Sequence, residues 1–459
     1  MKLRPRLLAT VAALSIAAGA ARAQYVEDSI DVGGGYVGSL AYSSARDEVW
    51  GSSWSANSVF AISCDSNKVV ATLAMSHAGD IACDTVDGKL YCAYYGAGAE
   101  SLAVISGVTH GVTKKLEMSG STTPVWDAVS NRVYVSCQST NSVAIVDCAT
   151  DSLLTYIPVG ACPMKMYINS LRRKLYVLNY DAGTVSIVDM ATNQVIKTVE
   201  VGGAPNAGYY CRGADKFYTG GESHQCVVIG GQTDTIVARI GLPGNVYVTS
   251  ATGNEDDGLV YLGASSGTND YVATLSSQND SLLATSIIGR GPRDLEYYPA
   301  SGLLYCASGG SDQAVVLTGD GRQILTTTSV GDAPYVFAAA PHHDRLYLGH
   351  LNSRYVYVLR DTSAGIMEPR SPHLADCGVS VTPNPFTQAV LVAWNPSVGG
   401  DDAARLYGQD GRLVRQARIA TGEARWVWDG RDDSGAPLPP GVYVLETGPG
   451  IRAKVVKLK

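Results

Sequence analysis

One stretch decides the fold: from Leu175 to Pro205 the chain reads LYVLNYDAGTVSIVDMATNQVIKTVEVGGAP. An apolar–aromatic pair opens it, a Gly-containing turn and a Val-rich strand follow, and a last strand closes on the motif V-G-x-x-P. The opening pair occurs eight times, with gaps of 41 to 44 residues. The eight pairs are Val49-Trp50, Leu90-Tyr91, Val133-Tyr134, Leu175-Tyr176, Phe217-Tyr218, Val260-Tyr261, Leu304-Tyr305 and Leu346-Tyr347.

Four short strands per period of about 40 residues are typical of a β-propeller blade. The closing motif precedes other repeats too, at Val159-Gly160, Val201-Gly202, Ile288-Gly289 and Val330-Gly331. It is missing after the last pair, so eight blades close only if a strand around Ser29–Gly33 completes the blade begun at Val336. The count predicts an eight-bladed ring over residues 24–361, with seven blades as the alternative if one weak repeat is distorted.

The repeat at residues 175–205 closely resembles the YVTN family of β-propeller repeats. Tyr176-Val177-Leu178-Asn179 stands where the tetrapeptide that names the family falls. The resemblance covers about residues 24–361 and implies an extracytoplasmic or surface protein. Most members of the family are seven-bladed, so the count of eight departs from the family. The family fixes no single activity, because one fold hosts many functions.

The composition agrees with many short strands joined by tight turns. The 459 residues include 50 Gly and 26 Tyr but only 4 Phe, and 17% of them are charged. No segment keeps a 3.6-residue apolar period for long, which excludes an all-helical fold. Hydrophobic residues make up 46% of the chain, which excludes disorder as its overall state.

The first 23 residues have the pattern of a signal peptide. Lys2, Arg4 and Arg6 precede an apolar run from Leu7 to Ala20, and Ala21-Arg22-Ala23 supplies the small-x-small cleavage pattern. We expect cleavage before Gln24, and the run is too short for a spanning helix. The sequence therefore predicts an exported, cell-surface or extracellular protein without a transmembrane segment, with the periplasm as the alternative location.

The charge is unevenly distributed and disfavours nucleic acid as a partner. Residues 24–377 hold 21 basic and 34 acidic residues, a formal charge of −13, whereas residues 378–459 hold 10 basic and 8 acidic residues, a charge of +2. Phosphate binding needs a basic face, which an acidic body does not offer. The simplest interpretation of the acidic residues is solvation.

A second module follows a linker over residues 362–377. From Val379 the propeller period stops, and alternating strands flank an Asp410-Gly411 turn, which is a strong hairpin signal. Six or seven short strands in about 80 residues predict an immunoglobulin-like β-sandwich over residues 378–459. The chain is therefore expected to be all-β throughout.

The motifs of this module resemble two related families. Pro383-Asn-Pro-Phe386, Trp428-Asp429-Gly430 and Pro440-Gly-Val-Tyr443 look like the FlgD-type Ig-like domain, and they are equally similar to the C-terminal sorting domains of type IX secretion cargo. The second resemblance implies that the module contacts secretion machinery and directs secretion or surface attachment. The tight Trp-Asp-Gly pattern favours the FlgD type, which leaves the sorting role a hypothesis.

Few residues point to covalent cross-links or metals. Most of the ten cysteines occupy strand positions and are interpreted as small buried hydrophobes, with Cys83 and Cys92 as the best bridge candidate. The run His342-His343-Asp344 falls on a strand-connecting turn and is interpreted as solvated rather than as a zinc corner. No metal or cofactor is expected, although the acidic turn Asp429–Asp433 keeps Ca²⁺ open as a minor alternative.

Loops at one face of the ring carry aromatic and polar residues that make a binding surface plausible. Ordinary turn residues are the alternative interpretation. The candidate binding residues are Trp54, Tyr95, Lys165, Tyr180, Asp181, His224, Arg293, Asp294, Tyr335 and His350. No catalytic constellation emerges, so the favoured function is a binding scaffold for a protein or glycan at the cell surface. The alternative is an extracytoplasmic propeller enzyme of the lactonase or quinoprotein type.

Overall fold

The computed structural model describes residues 24–96, 99–268, 270–361, 379–382, 390–394, 403–408, 412–418, 425–448 and 451–457. The chain divides into two compact units, Met1–Ile366 and Met367–Lys459, and the division falls within the expected linker. The expected signal peptide and the linker itself lie outside the described residues. No helix in the described ranges is long and apolar enough to cross a membrane.

The first unit consists of eight consecutive four-stranded antiparallel sheets, blades 1 to 8. The strands of blades 1 to 4 are β2–β5 (Ser39–Ser43, Glu48–Ser53, Ser58–Ser63, Lys68–Ala74), β6–β9 (Ala78–Asp84, Lys89–Gly96, Ala99–Ser106, Gly111–Glu117), β10–β13 (Ser121–Asp127, Arg132–Cys137, Ser142–Asp147, Ser152–Pro158) and β14–β17 (Pro163–Asn169, Lys174–Asn179, Thr184–Asp189, Gln194–Glu200). Those of blades 5 to 8 are β18–β21 (Pro205–Cys211, Lys216–Gly221, Gln225–Gly230, Ile236–Gly241), β22–β25 (Tyr247–Asn254, Leu259–Ser265, Tyr271–Ser276, Ser281–Ile287), β26–β29 (Pro292–Tyr298, Leu303–Ser308, Gln313–Thr318, Ile324–Ser329) and β30–β32 (Pro334–Ala340, Arg345–His350, Tyr355–Asp361) with β1 (Gln24–Asp31).

The ring is closed and has eight blades rather than seven. The first strands of successive blades contact one another all the way round, including β30 with β2, so they form the inner ring around the channel. Strand β1 pairs antiparallel with β32, from Gln24 opposite Asp361 to Asp31 opposite Tyr355. This confirms the expected closure by an N-terminal strand, which removes the two exposed sheet edges of an open ring.

Burial explains why the middle strands read as continuous apolar runs. In β15 and β16 of blade 4, five of six residues are buried, whereas β17 at the outer edge is mostly exposed. Middle strands are covered on both faces by neighbouring blades, so they need apolar side chains on both faces. The eight aromatic residues of the repeated pair are the largest side chains of this core, and each is fully buried.

In several blades, a polar contact at this aromatic residue joins the blade to the next one. We call this contact the clasp. In blade 2, Tyr91 Oη donates to Asp151 Oδ1 at 2.8 Å, and Lys89 Nζ donates to the same carboxylate at 3.0 Å. In blade 5, Tyr218 and Lys216 bind Asp280 in the same way, at 2.7 and 2.9 Å. Asp151 and Asp280 occupy left-handed turn positions, with φ of 51° and 53°. Such positions favour Asp and Asn, which places the carboxylate beside the neighbouring blade.

The second unit has the two sheets of an immunoglobulin-like sandwich. One sheet orders β33 (Val379–Thr382), β34 (Val390–Trp394) and β37 (Arg425–Trp428), and the other orders β36 (Leu413–Arg418), β35 (Ala403–Tyr407), β38 (Gly441–Gly448) and β39 (Ile451–Lys457). Both sheets contribute to one core, which includes Val390, Leu406, Trp428 and Leu445. The expected hairpin is present as β35 and β36, although its Asp410-Gly411 turn lies outside the described residues.

The expected Cys83–Cys92 bridge is wrong, because both thiols are free. Cys83 lies opposite Leu90 and Cys92 lies opposite Ile81, so the two cysteines are diagonal neighbours in the hairpin. Diagonal neighbours have Cβ atoms about 7 Å apart, whereas a disulfide requires about 4 Å. The interpretation as small buried side chains agrees with Cys92, which is fully buried.

Candidate functional site

Three charged side chains of the inner strands lie where the strand register breaks. Asp80, Lys165 and Asp294 belong to β6, β14 and β26, and each lies within or beside a register shift near the beginning of its strand. A bulge of this kind re-aims side chains that would otherwise follow the alternation of the strand. The loops that enter the inner strands, together with those between second and third strands, form one face of the ring, here called the loop face. The three side chains therefore stand at the loop-face end of the channel.

Charged and ionisable groups from other blades affect the pKa of Lys165. Burial acts to lower the pKa of the Lys165 ammonium, but Tyr167, Tyr335, Asp294 and Asp80 outweigh it and raise the pKa above its usual value. Asp80 belongs to blade 2, Lys165 to blade 4, Asp294 to blade 7 and Tyr335 to blade 8. Groups of three other blades therefore act on one ammonium, which belongs to a residue at a register break of an inner strand. Within the described ranges, no carboxylate oxygen lies within 4.0 Å of its Nζ.

The two aspartates are held in place by hydrogen bonds from neighbouring blades. Asp80 Oδ2 accepts a hydrogen bond from Thr123 Oγ1 at 2.8 Å, and Asp294 Oδ2 accepts one from the Phe337 amide at 2.8 Å. Burial raises the pKa of both carboxyls, while these hydrogen bonds and the Lys165 charge act to lower it. Their orientation is therefore fixed before any ligand arrives.

Glu296 adds a carboxyl group of a different kind. It follows Asp294 by two residues on β26, is half-buried, and has no hydrogen-bond or ion-pair partner among the described residues. Burial, with a smaller effect from Asp294, raises the pKa of Glu296 to about 8. The side chain is therefore mostly protonated at neutral pH and can donate a hydrogen bond.

We call Asp80, Lys165, Asp294, Glu296 and Tyr335 the channel site. It offers an ammonium, two oriented carboxylates, a neutral carboxyl and a phenol at one end of a channel. Perturbed pKa values in a concave polar region are typical of functional sites. The set can donate and accept hydrogen bonds to a polar ligand.

The structure brings some of the candidate binding residues together. Lys165, Asp294 and Tyr335 lie near the beginning of inner strands of three blades, and Asp294 and Tyr335 act electrostatically on Lys165. Trp54 lies on the loop after β3 in blade 1 and Tyr95 lies near the end of β7 in blade 2, and they are exposed by 43% and 41%. The ring of His77 lies between them. These residues therefore form two groups, one in the channel and one on the loop face.

Other candidates lie apart from these two groups. Tyr180 Oη donates to Glu222 Oε1 at 3.1 Å, which joins the loops of blades 4 and 5. His224 Nδ1 lies 2.9 Å from the carbonyl oxygen of Val246 in the next loop. Asp181 and Arg293 are exposed on the loop face.

His350 is unsuited to a binding surface, which corrects the expectation from its loop position. It ends β31 and is fully buried, with Nδ1 3.1 Å from the carbonyl oxygen of Tyr355. A Cβ at Gly331 would lie only 3.1 Å from the His350 ring, so the glycine of the V-G-x-x-P motif makes room for it. Burial lowers the pKa of His350 to about 4. The residue is a neutral part of the core.

The expected solvated turn at His342-His343-Asp344 also makes a specific contact. His343 Nε2 lies 2.5 Å from Asp47 Oδ2 and 3.8 Å from Asp65 Oδ1, across the seam between blades 8 and 1. The ligand atoms of these three residues lie within 4.8 Å of one another. They belong to turns at the opposite face from the channel site, and Asp65 is largely exposed.

Sequence reasoning missed Asp80, Glu296 and His77. The repeat could have indicated Asp80, because it occupies the same position in its inner strand as Lys165 and Asp294. Each of the three residues follows the first residue of its strand by two positions. Ala78 replaces the usual proline there, which concealed the alignment. Glu296 carries no comparable signal, since its unusual protonation depends on burial inside the assembled ring.

No family model matches the chain, and no curated protein matches it. The resemblances to YVTN repeats and to FlgD-type or sorting domains therefore rest on the motifs in the sequence. The functional assignment depends on the geometry of the propeller.

Proposed function

We propose that the protein is an exported binding scaffold whose propeller takes a polar ligand at the channel site. The observation that carries the proposal is that Asp80, Lys165 and Asp294 lie at register breaks near the beginning of inner strands in three blades, where both aspartates act electrostatically on the Lys165 ammonium. A structural lysine in a buried region normally pairs with a carboxylate, because an unpaired buried charge is costly. Here the carboxylates are nearby but are held by other donors, which leaves the ammonium able to bond a ligand.

Pre-orientation of the channel site favours binding. Asp80 and Asp294 are fixed by hydrogen bonds from Thr123 and Phe337, so a ligand would lose less free energy in ordering them. The ligand is a polar group on a protein or a glycan, since the site combines donors and acceptors of both charges. Recognition through such a site needs no chemical step, so the proposed role is not enzymatic.

The alternative, a propeller enzyme of the lactonase or quinoprotein type, requires a metal or a cofactor. Purified residues 24–361 separate the two functions by elemental analysis and an absorbance scan. The binding proposal expects neither a stoichiometric metal nor a quinone absorbance. One metal or quinone per chain would favour the enzyme instead.

The cellular location and the C-terminal module are part of the proposal. Residues 1–23 would direct export, and residues 378–459 would act in secretion or surface attachment, as the FlgD-type and sorting-domain resemblances imply. Deleting residues 378–459 should abolish surface exposure in the native host, measured by protease accessibility on intact cells. Unchanged surface exposure would contradict the sorting role.

The ligand can be sought with the whole chain on arrays of peptides and oligosaccharides. Lys165→Met removes the ammonium and retains an unbranched side chain, and Lys197→Met on the exposed outer strand β17 is the matched control. We expect ligands of the wild-type chain to be retained by Lys197→Met and lost by Lys165→Met. Equal signals for both variants would overturn the assignment of the channel site.

A further inference from the structure

Three aromatic rings form a continuous exposed cluster on blades 1 and 2, here called the aromatic shelf. The ring of His77 lies 4.8 Å from that of Trp54 and 5.9 Å from that of Tyr95, measured between centroids, and both contacts are edge-on. Trp54 and Tyr95 keep 43% and 41% of their surface exposed. Large aromatic side chains usually bury far more of their surface, so the shelf presents apolar area to solvent.

The backbone holds the shelf rigidly. The His77 amide donates to Asn57 Oδ1 at 2.9 Å, and the carbonyl of Asn57 accepts from the Met75 amide at 2.8 Å. On the other side, the Tyr95 amide donates to the His77 carbonyl at 3.4 Å. The loop that carries Trp54 and the end of β7 that carries Tyr95 are thus both hydrogen-bonded to the turn that carries His77.

His77 occupies a position where other blades place a small residue. Its φ is 46°, in the left-handed region, where His is one of the more frequent non-Gly residues. The equivalent residues are recognised by the same bond from their amide to an Asn or Asp of the preceding loop. They are Cys162 to Asn141, Gly291 to Asp270 and Ala333 to Asp312. The backbone conformation is shared by these blades, with φ of 56° at Cys162, 65° at Gly291 and 53° at Ala333, so blade 2 differs by the ring that His77 adds at this position.

The polar atoms of the shelf remain available. Among the described residues, Trp54 Nε1 and Tyr95 Oη have no hydrogen-bond partner, and Ser76 Oγ lies 3.0 Å from His77 Nδ1, which leaves Nε2 free. The shelf combines apolar ring surface with hydrogen-bonding atoms at its edges, and its three residues include no Lys, Arg, Asp or Glu. It stands on a propeller with a formal charge of −13 over residues 24–377, from 21 basic and 34 acidic residues.

We propose that the aromatic shelf binds a neutral sugar ring of a glycan. A pyranose presents one face of C–H groups, which suits the electron-rich face of an indole or phenol, and a rim of hydroxyls, which suits the free polar atoms. An anionic sugar would be repelled by the acidic body. A stable protein interface needs about 800 Å² per partner, more than three partly buried rings provide. The inference rests on the proposed role of the propeller as a binding scaffold and adds a second site to it.

The test uses tryptophan fluorescence of the full chain titrated with chitotriose, cellotriose, maltotriose and a mannotriose. We expect at least one of these neutral trisaccharides to change the emission, and Trp54→Phe to remove most of that change. Tyr95→Ala should weaken binding of the same sugar by about ten-fold, as loss of one aromatic contact implies. Tyr156→Ala, which removes a tyrosine of the outer strand β13 exposed by 40%, should bind normally.

Two results would overturn the inference. The first is that the full chain binds none of the four trisaccharides and no sugar on a neutral-glycan array. The second is that the chain binds a sugar and that neither Trp54→Phe nor Tyr95→Ala changes this binding. The Lys165→Met variant separates this inference from the proposed function. Loss of sugar binding in the Tyr95 variant with normal sugar binding in the Lys165 variant supports the shelf as a sugar site separate from the channel site, whose own ligands are tested by Lys165→Met.

Discussion

Burial moves the pKa values of two residues of the propeller in opposite directions. Glu296 in the channel has its pKa raised to about 8, and His350 in the core has its pKa lowered to about 4. Both shifts have the same main cause, since burial disfavours the charged form of an acid and of a base alike. Each residue therefore makes the stability of the fold depend on pH, with opposite sign.

For Glu296, stability should decrease as the pH rises. Between its ordinary pKa of 4.5 and its folded pKa of about 8, the folded state binds a proton that the unfolded state has lost. The stabilising contribution is complete below pH 4.5 and is lost as the pH rises towards 8. Glu296→Gln should flatten the fall in the free energy of unfolding across this window, measured by urea denaturation at several pH values. A variant with the wild-type slope would contradict the assignment.

For His350, stability should decrease as the pH falls. The unfolded imidazole is protonated below pH 6.5, whereas the folded one stays neutral to about pH 4. Its contribution is therefore present above pH 6.5 and is lost between 6.5 and 4. His350→Asn should reduce this acid sensitivity, and Asn179 fills the equivalent buried position in blade 4. Unchanged acid sensitivity in thermal unfolding would show that His350 is not buried as a neutral group.

At the scale of elements, the clasp connects neighbouring blades through one carboxylate. Lys216 and Tyr218 of blade 5 both bind Asp280 of blade 6. The side chains of Lys216 and Asp280 are mostly shielded from water. Removing the carboxylate leaves a partly buried ammonium and a buried phenol without their shared acceptor. The clasp therefore contributes to the packing of blade on blade in addition to the apolar core.

Asp280→Ala should destabilise the propeller by about 2 kcal/mol, because it removes the carboxylate acceptor shared by a buried phenol and a partly buried ammonium. Asp181→Ala on an exposed loop is the matched control and should change the free energy of unfolding by less than about 0.5 kcal/mol. Denaturant unfolding of both variants measures the difference. A loss no larger for Asp280→Ala than for the control would mean that the clasp adds nothing to stability.

The elements could be predicted from the sequence far better than the site. The repeated pair places a buried aromatic in all eight second strands, and the missing motif after Leu346-Tyr347 correctly requires an N-terminal closing strand. The channel site joins residues more than 200 positions apart, such as Asp80 and Asp294, and no local pattern relates them. The protonation of Glu296 and the burial of His350 likewise depend on the assembled ring.

At the scale of the whole molecule, the ring depends on one strand from the beginning of the described chain. Glu27 of β1 binds Arg345 through both carboxylate oxygens, at 2.6 and 2.7 Å, and also Arg360 at 3.0 Å. Arg345 itself is 8% exposed. These contacts tie the two ends of the propeller chain together within blade 8.

Glu27→Ala should destabilise the propeller by about 3 kcal/mol, since it leaves the buried Arg345 guanidinium without its carboxylate. Glu200→Ala, at an exposed position on the outer strand β17, is the control. Limited proteolysis should cut the Glu27 variant within blade 8 earlier than the control. Equal proteolysis rates and equal unfolding free energies would contradict the role of this contact in closure.

The central claim is that the closed ring assembles a ligand site around Lys165. Its most direct test is the affinity of Lys165→Met for a ligand of the wild-type chain, measured by calorimetry beside Lys197→Met. Loss of a charged hydrogen bond predicts an affinity at least ten-fold weaker for Lys165→Met, with wild-type affinity for Lys197→Met. Equal affinities for the two variants would contradict the claim.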